Sequence, residues 1–472
     1  GNNAHTFMSI FNINAMPEDS FNLDAQIETT DNGVLLERFL LVTSENEQFK
    51  LGGYLSDNPG SRDTAVGVPS NGKPLYRTLQ KLVPGIEVPD LPYDLSGHVQ
   101  VQRENIQLHE DKVGFSDLEL ILAGSVSLRD HFVDTSLDFR VDGRDLSTLK
   151  EVPGLRSSLN AFVPGQSYHA AGRFYMASSG WGLNNIKGRI GDTDIVVCGQ
   201  ISKQPDWSGS YVDFSIKGTV LHTFLVNQKA ADLSIGAFES NGRLKFAGDT
   251  LSFEGFSFET DKTSGKADLE FGWPINSTVD ADFNVELWGN DIRHLLPRSE
   301  VFEPAMASYR MSAVGHQRDK LISFKHFDAV IGDIQVALEG KVDENIEITF
   351  SAKSDNLSTL GVLNGNPLPA MALNLKTDFA GGARHFTLHN ISGSLGETDV
   401  SGNMEVLFEK PRPKINLTAK SRLLDLRPFL NEFGNDDKKI EVPNKERLIP
   451  ATPLPLKALK AADIELMYNA DE

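Results

Sequence analysis

The sequence predicts a mainly β protein, an elongated and curved antiparallel β-sheet built of repeats of about 70 residues with one short helix each. Three observations carry that expectation. Apolar and polar residues alternate over many short stretches, a Gly-x-apolar strand returns at near-constant spacing, and a short segment with apolar residues three or four apart keeps step with it.

The alternation comes first along each strand. Val212, Phe214 and Ile216; Phe283, Val285 and Leu287; Ile334, Val336 and Leu338; Ile346, Ile348 and Phe350; and Met404, Val406 and Phe408 each recur every second position, with Asp, Asn, Glu, Gln, Ser and Lys among the intervening residues. Side chains on a strand point alternately to its two faces, so one face is apolar and the other meets water. In "LSFEGFSFET" (251–260), Leu251 and Phe253 fall on one parity and Phe256 and Phe258 on the other, so the two pairs compete for the apolar face.

The repeat is marked by Gly53, Gly124, Gly199, Gly265, Gly340 and Gly402, a mean step of about 70 residues. These glycines predict bulges or close backbone approach. The accompanying segments "PLYRTL", "DLSTL", "VLHTFL", "DIRHLL", "NLSTL" and "DLRPFL" read as single helical turns or short helices whose leucines dock on the sheet. "GDTD" at 191, "IGD" at 331 and "LGETD" at 395 read as hairpin turns, and Pro- and Gly-rich loops follow the short helices. The repeats divide approximately at 1–83, 84–154, 155–228, 229–298, 299–364 and 365–430. A polar linker over 431–450 and the start of a further segment over 451–472 follow.

Composition narrows the function. With 40% hydrophobic and 23% charged residues the chain folds, and a formal charge of -20 repels phosphate backbones, so nucleic acid is not an expected partner. Phe outnumbers Tyr and Trp, 28 against 8 and 4, which implies that something apolar is lined or filled. Cys198, the single cysteine, reads as a small core residue in "DIVVCGQIS". No apolar run of about 18 residues is present.

"DFRVDGRDLSTLKEVPG", "GRIGDTDIVVCGQIS", "ITFSAKSDNLSTLGVLNGNPLP" and "HNISGSLGETDVSGNMEVLF" together resemble the periplasmic region of the AsmA-like family, whose members include TamB- and YhdP-related proteins, and "PLPLKALKAADIELMYNA" resembles the start of its more C-terminal segment. The resemblance covers nearly the whole chain and lies in the grammar of the repeat, not in catalytic residues. It implies a repeating β-groove, or bridge-like lipid transfer protein, held in the bacterial inner membrane by an N-terminal helix and carrying phospholipid toward the outer membrane. The chain lacks that helix and stops at Glu472 before the family's usual end, so it reads as an excised central piece. The expected setting is the periplasm of a Gram-negative bacterium. The expected partners are a phospholipid or other acyl-chain lipid, the inner membrane, and outer-membrane or periplasmic proteins.

The expected lipid-facing residues are Phe214, Phe246, Phe253, Phe258, Phe271, Phe283, Ile334, Val336, Leu338, Ile348, Phe350, Leu375 and Phe408. Each buried methylene contributes about 0.8 kcal/mol, so an acyl chain on such a strip is held by many additive terms without specific hydrogen bonds. The rival reading is a periplasmic β-repeat interaction scaffold or outer-membrane assembly factor whose inner faces fill their own core. A carbohydrate-active β-solenoid is a weaker third.

No catalytic residue, metal site or cofactor is expected. "GVPSNGKP" (67–74) carries Pro74 where a phosphate loop needs Ser or Thr. His385 and His389 lie four apart on a predicted strand, where their side chains diverge by about 13 Å. Asp436 and Asp437 belong to a polar stretch that reads as a solvated linker.

Overall fold

The computed structural model describes residues 1–3, 6, 20–31, 33–44, 48–56, 61–69, 93–102, 105–127, 132–151, 165–220, 236–272, 280–296, 302–363, 365–382, 384–408, 412–423 and 463–470. The segments 74–79, 221–225 and 425–430, the polar stretch with Asp436 and Asp437, and most of the 451–472 segment lie outside them. The protein is mainly β and its sheet is mostly antiparallel. It forms two compact units, Gly1–Asp249 and Thr250–Glu472.

The first unit is a meander. Strands β1 (Phe21–Thr30), β2 (Gly33–Thr43), β3 (Gln48–Ser56), β4 (Ser61–Pro69), β5 (Tyr93–Gln102), β6 (Asn105–Phe115) and β7 (Leu118–Ser127) each pair antiparallel with the next. The order continues through β8 (Ser136–Gly143), β9 (Tyr168–Ala177), β10 (Gly180–Ile190), β11 (Thr193–Ser202), β12 (Tyr211–Gly218) and β13 (Phe238–Ala247).

The second unit is also a meander, of β14 (Thr250–Thr260), β15 (Thr263–Gly272), β16 (Asp280–Gly289), β18 (Tyr309–Arg318), β19 (Leu321–Ile331), β20 (Ile334–Val342) and β21 (Ile346–Ser354), then β24 (Leu373–Gly382), β25 (His385–Leu395), β26 (Thr398–Leu407) and β27 (Lys414–Ser421). The last strand, β28 (Asp463–Ala470), joins β27 in parallel. Strands β17 (Phe302–Pro304), β22 (Gly361–Leu363) and β23 (Asn366–Pro367) form a small separate sheet. Two-residue turns at 191–192, 332–333 and 396–397 close hairpins, as the sequence predicts.

Six strands, β2, β6, β10, β14, β19 and β25, are 11 residues long, and each carries a bulge against the strand that follows. The six glycines picked out in the sequence lie on those following strands. Gly340 shows why one of them must be glycine. Its φ is 134°, and a Cβ there would sit 2.2 Å from the Glu347 carbonyl oxygen on β21, too close for any side chain.

Three short 3-10 helices, Leu146–Glu151, Ile292–His294 and Leu357–Leu360, occupy the "DLSTL", "DIRHLL" and "NLSTL" segments. An Asx side chain begins each one: Asp145 accepts from the Ser147 amide at 2.8 Å, Asp291 from Arg293 at 3.1 Å and Asn356 from Ser358 at 3.1 Å. The next residue, Leu146, Ile292 or Leu357, is then buried. In the first unit Leu146 packs with Leu118 and Tyr168, and Leu120, Val141, Leu149 and Ile190 surround them, so a buried cluster lies at one rim of the sheet.

The Arg293 guanidinium holds the Asp291 carboxyl down at about 2, against an ordinary 3.8. A depressed carboxylate pKa stabilises the fold above its unfolded value and loses that contribution as pH falls through the folded value. Asp291→Ala is therefore expected to cost about 1 kcal/mol at neutral pH, the usual cost of a lost cap. In urea unfolding the difference from the parent protein should be constant above about pH 4 and shrink between pH 4 and 2.

Candidate functional site

Directly opposed residues of an antiparallel pair share a face, so the registers assign each side chain. In the second unit, Leu269 opposes Phe253 and Phe283, Phe283 opposes Gly315, and Gly315 opposes Phe324. Val336 opposes Ala329 and Ala352, Ala352 opposes Leu375, and Ile348 opposes Phe379. The same face carries Phe271, Ile334, Leu338 and Phe350, and Phe408 joins it through its ring contact with Phe386 at 5.9 Å. In the first unit, Phe214 opposes Val197 and Phe246 continues the Leu244 parity. All thirteen residues singled out in the sequence thus lie on the apolar face of their own unit.

The competition between the two parities of "LSFEGFSFET" does not arise. Leu251 opposes Phe271 and Phe253 opposes Leu269, but after a bulge Phe256 opposes Ala267 and Phe258 opposes Gly265. One extra residue reverses the parity, so all four apolar side chains share a face. Gly255 takes the left-handed conformation, φ 59°, and its amide donates to Asp268 Oδ1 at 2.7 Å, which satisfies the group that the bulge leaves unpaired. Asn185 and Asn390 hold comparable positions with φ of 48° and 53°.

What distinguishes the face is incomplete cover. Among the thirteen only Ile334 is buried; the others are half-buried, apart from Phe408, which is 52% exposed. The described residues supply no second sheet of comparable size to pack against it. The rings instead contact one another: Phe253 meets Phe271 at 6.0 Å and Phe256 at 6.4 Å, Phe283 meets Phe324 at 6.0 Å, and Phe379 stacks on Phe386 at 5.4 Å. In the first unit Phe174 bridges Phe139 and Trp181 at 6.3 and 5.9 Å. Phe139, Phe174, Trp181, Phe324, Phe327, Phe379 and Phe386 belong to this face and escape a reading by strict alternation.

The opposite face is charged and paired to itself. Cross-strand ion pairs join Arg173 to Asp138 at 2.7 Å and Arg243 to Asp213 at 2.6 Å, and Arg189 reaches Asp194 across the hairpin at 2.7 Å. The arginine hydrogen bonds hold all three carboxyls below the ordinary carboxylate range. These pairs are solvent-exposed and screened by water, so they set the polarity of the face more than they stabilise the fold. Cys198 lies on this side, opposite Asp213, and is exposed. The expectation of a core cysteine is thereby corrected: Val197 and Gly199, one position either way, take the apolar parity.

A depression of about 780 Å³ lined by Asp117, Arg140, Asp142, His169 and Arg189 lies on the charged side. Its groups are engaged with one another, Arg140 and His169 with Asp142 at 3.2 and 2.6 Å, and Asp117 with the Arg144 and Asp145 amides at 2.9 Å. His385 and His389 are both exposed, and among the described residues no cluster of His, Cys, Asp and Glu could hold a metal. No described helix is long and apolar enough to cross a membrane.

Neither a family model, a curated protein nor a solved structure matches the chain. The functional reading therefore stands on the two faces themselves.

Proposed function

We propose that the apolar face is a trough for acyl chains, and that the protein is a non-enzymatic carrier of phospholipid between the inner and outer membranes of a Gram-negative bacterium, working in the periplasm. The bulged 11-residue strands, each followed by a glycine strand, then mark the repeats of a repeating β-groove, with a short helix closing the rim of three of them. This is the architecture of the AsmA-like resemblance. The observation that carries the reading is the row of half-buried phenylalanines, which no described layer covers.

The energetics suit transport. Apolar contact is additive and non-directional, so successive strands offer an acyl chain similar free energy and no deep trap within a unit. The charged head stays at the wet rim, because burying it unpaired is costly. Native mass spectrometry of gently purified protein is expected to show bound phospholipid. A spectrum of bare protein, from preparations never exposed to delipidating detergent, would favour a scaffold with a closed core.

A further inference from the structure

The two rims of the first unit differ. One is closed by the 3-10 helix at Leu146–Glu151, whose Leu146 is buried with Leu118 and Tyr168. At the other, two loops hold large aromatic side chains out: Phe132 and Trp207 are 45% and 46% exposed, and both are left-handed, with φ of 70° and 61°. Such a backbone is rare for a bulky residue.

The two loops share one clamp. The Ser127 and Ser202 amides donate to Thr135 Oγ1 and Ser210 Oγ at 3.0 and 2.8 Å. The Thr135 and Ser210 amides donate to the carbonyls of Phe132 and Trp207 at 3.1 and 2.9 Å. The carbonyls of Thr135 and Ser210 then accept from Met176 and Phe246 at 2.8 and 2.9 Å. A hydrogen-bond set built on the buried Thr135 and Ser210 thus presents each aromatic side chain to solvent.

Trp207 contacts Phe246 at 5.7 Å, which places it on the apolar side, and Trp181 opposes Met176 and Ile201 on the same side near the same end of the strands. Neither indole N–H has an acceptor among the described residues. Lys203, in the Trp207 loop, makes no ion pair among them, while Asp206 is engaged by Ser208 at 2.7 Å. Apolar rings that carry free donors at a wet edge, beside a free cation, match the boundary of an amphiphile.

We propose that Trp181, Trp207 and Lys203 form a headgroup site. It receives the ester and phosphate end of a phospholipid whose acyl chains lie inward over Phe174, Leu244 and Phe246. The site rests on the trough reading and adds an orientation to it: heads at this rim, chain ends toward the helix-closed rim.

The test uses the full chain with Trp273→Phe and Trp288→Phe, so that the two site tryptophans alone report, and a control (Trp181→Phe, Trp207→Phe, Trp273→Phe) in which only Trp288 reports, which opposes Ser264 and Arg310 on the charged face. Each is loaded from phosphatidylcholine vesicles carrying a nitroxide on the choline head or at the acyl end, and bound lipid is counted by native mass spectrometry. Fluorescence of the Trp181 and Trp207 pair should be quenched at least two-fold more by the head label than by the chain-end label, and Trp288 by neither. Lipid bound with the pair no more quenched than Trp288, or quenched more by the chain-end label, overturns the headgroup site and leaves the trough standing. No lipid bound by either protein overturns both.

Discussion

Replacing Phe258 and Phe283 together with Glu is expected to remove at least nine-tenths of the bound phospholipid while the second unit stays folded. Both residues are half-buried. Phe258 lies over Gly265 beside Leu287 and contacts Phe256 at 6.2 Å, and Phe283 lies over Gly315 and contacts Phe324 at 6.0 Å. A carboxylate at either position reaches water without being enclosed. The loss is then the partial burial of two rings, roughly 2–3 kcal/mol together, plus ring contacts of about 0.5–1.5 kcal/mol each. For an acyl chain the same change places two charges on its path, and desolvating them costs several kcal/mol. Melting should fall by about 10–15 °C yet stay cooperative, and phospholipid phosphorus per protein should collapse. If the double variant unfolds instead, those side chains were filling a closed core, where unpaired charge is not tolerated.

The mainly β, mostly antiparallel character was legible in the sequence, because period-two alternation is a direct consequence of strand geometry and survives in Phe283, Val285 and Leu287 as in Ile334, Val336 and Leu338. The hairpin turns were legible for the same local reason. Alternation fails where the backbone adds a residue. Phe324 and Phe327 share a face although three positions separate them, and so do Phe253 and Phe256, because each pair straddles a bulge. The signal was present, though faint: a strand of 11 residues, with Asn or Gly near its middle at Asn185, Gly255 and Asn390. Cys198 was misplaced by a different route. Small, soft residues are usually core, but parity along β11 decides, and it sends Cys198 to the charged side. The rim aromatics Phe132 and Trp207 lie in loops, which have no periodicity to reveal them.

Parity also predicts that a one-residue change, deletion of Gly255, damages the second unit. The bulge sets Phe256 and Phe258 on the face of Leu251 and Phe253. Without the extra residue, β14 either keeps its outer pairing and turns both rings to the charged side, or slips by one position and turns Leu251 and Phe253 instead. Full burial of a Phe is worth about 1.5–3 kcal/mol, so moving two half-buried rings into water costs roughly 2–3 kcal/mol. The bulge hydrogen bond to Asp268 is lost as well. Gly255→Asn separates register from backbone strain. A side chain there meets nothing within 4 Å, and Asn185 and Asn390 already adopt the same left-handed conformation at comparable bulges. Urea unfolding should therefore show the Asn variant within about 0.5 kcal/mol of the parent, since Asn visits this region readily. The deletion should lose several times more and release its lipid. Equal effects from the two changes would mean that Gly255 matters only for its flexibility, and that the shared face does not depend on the inserted residue.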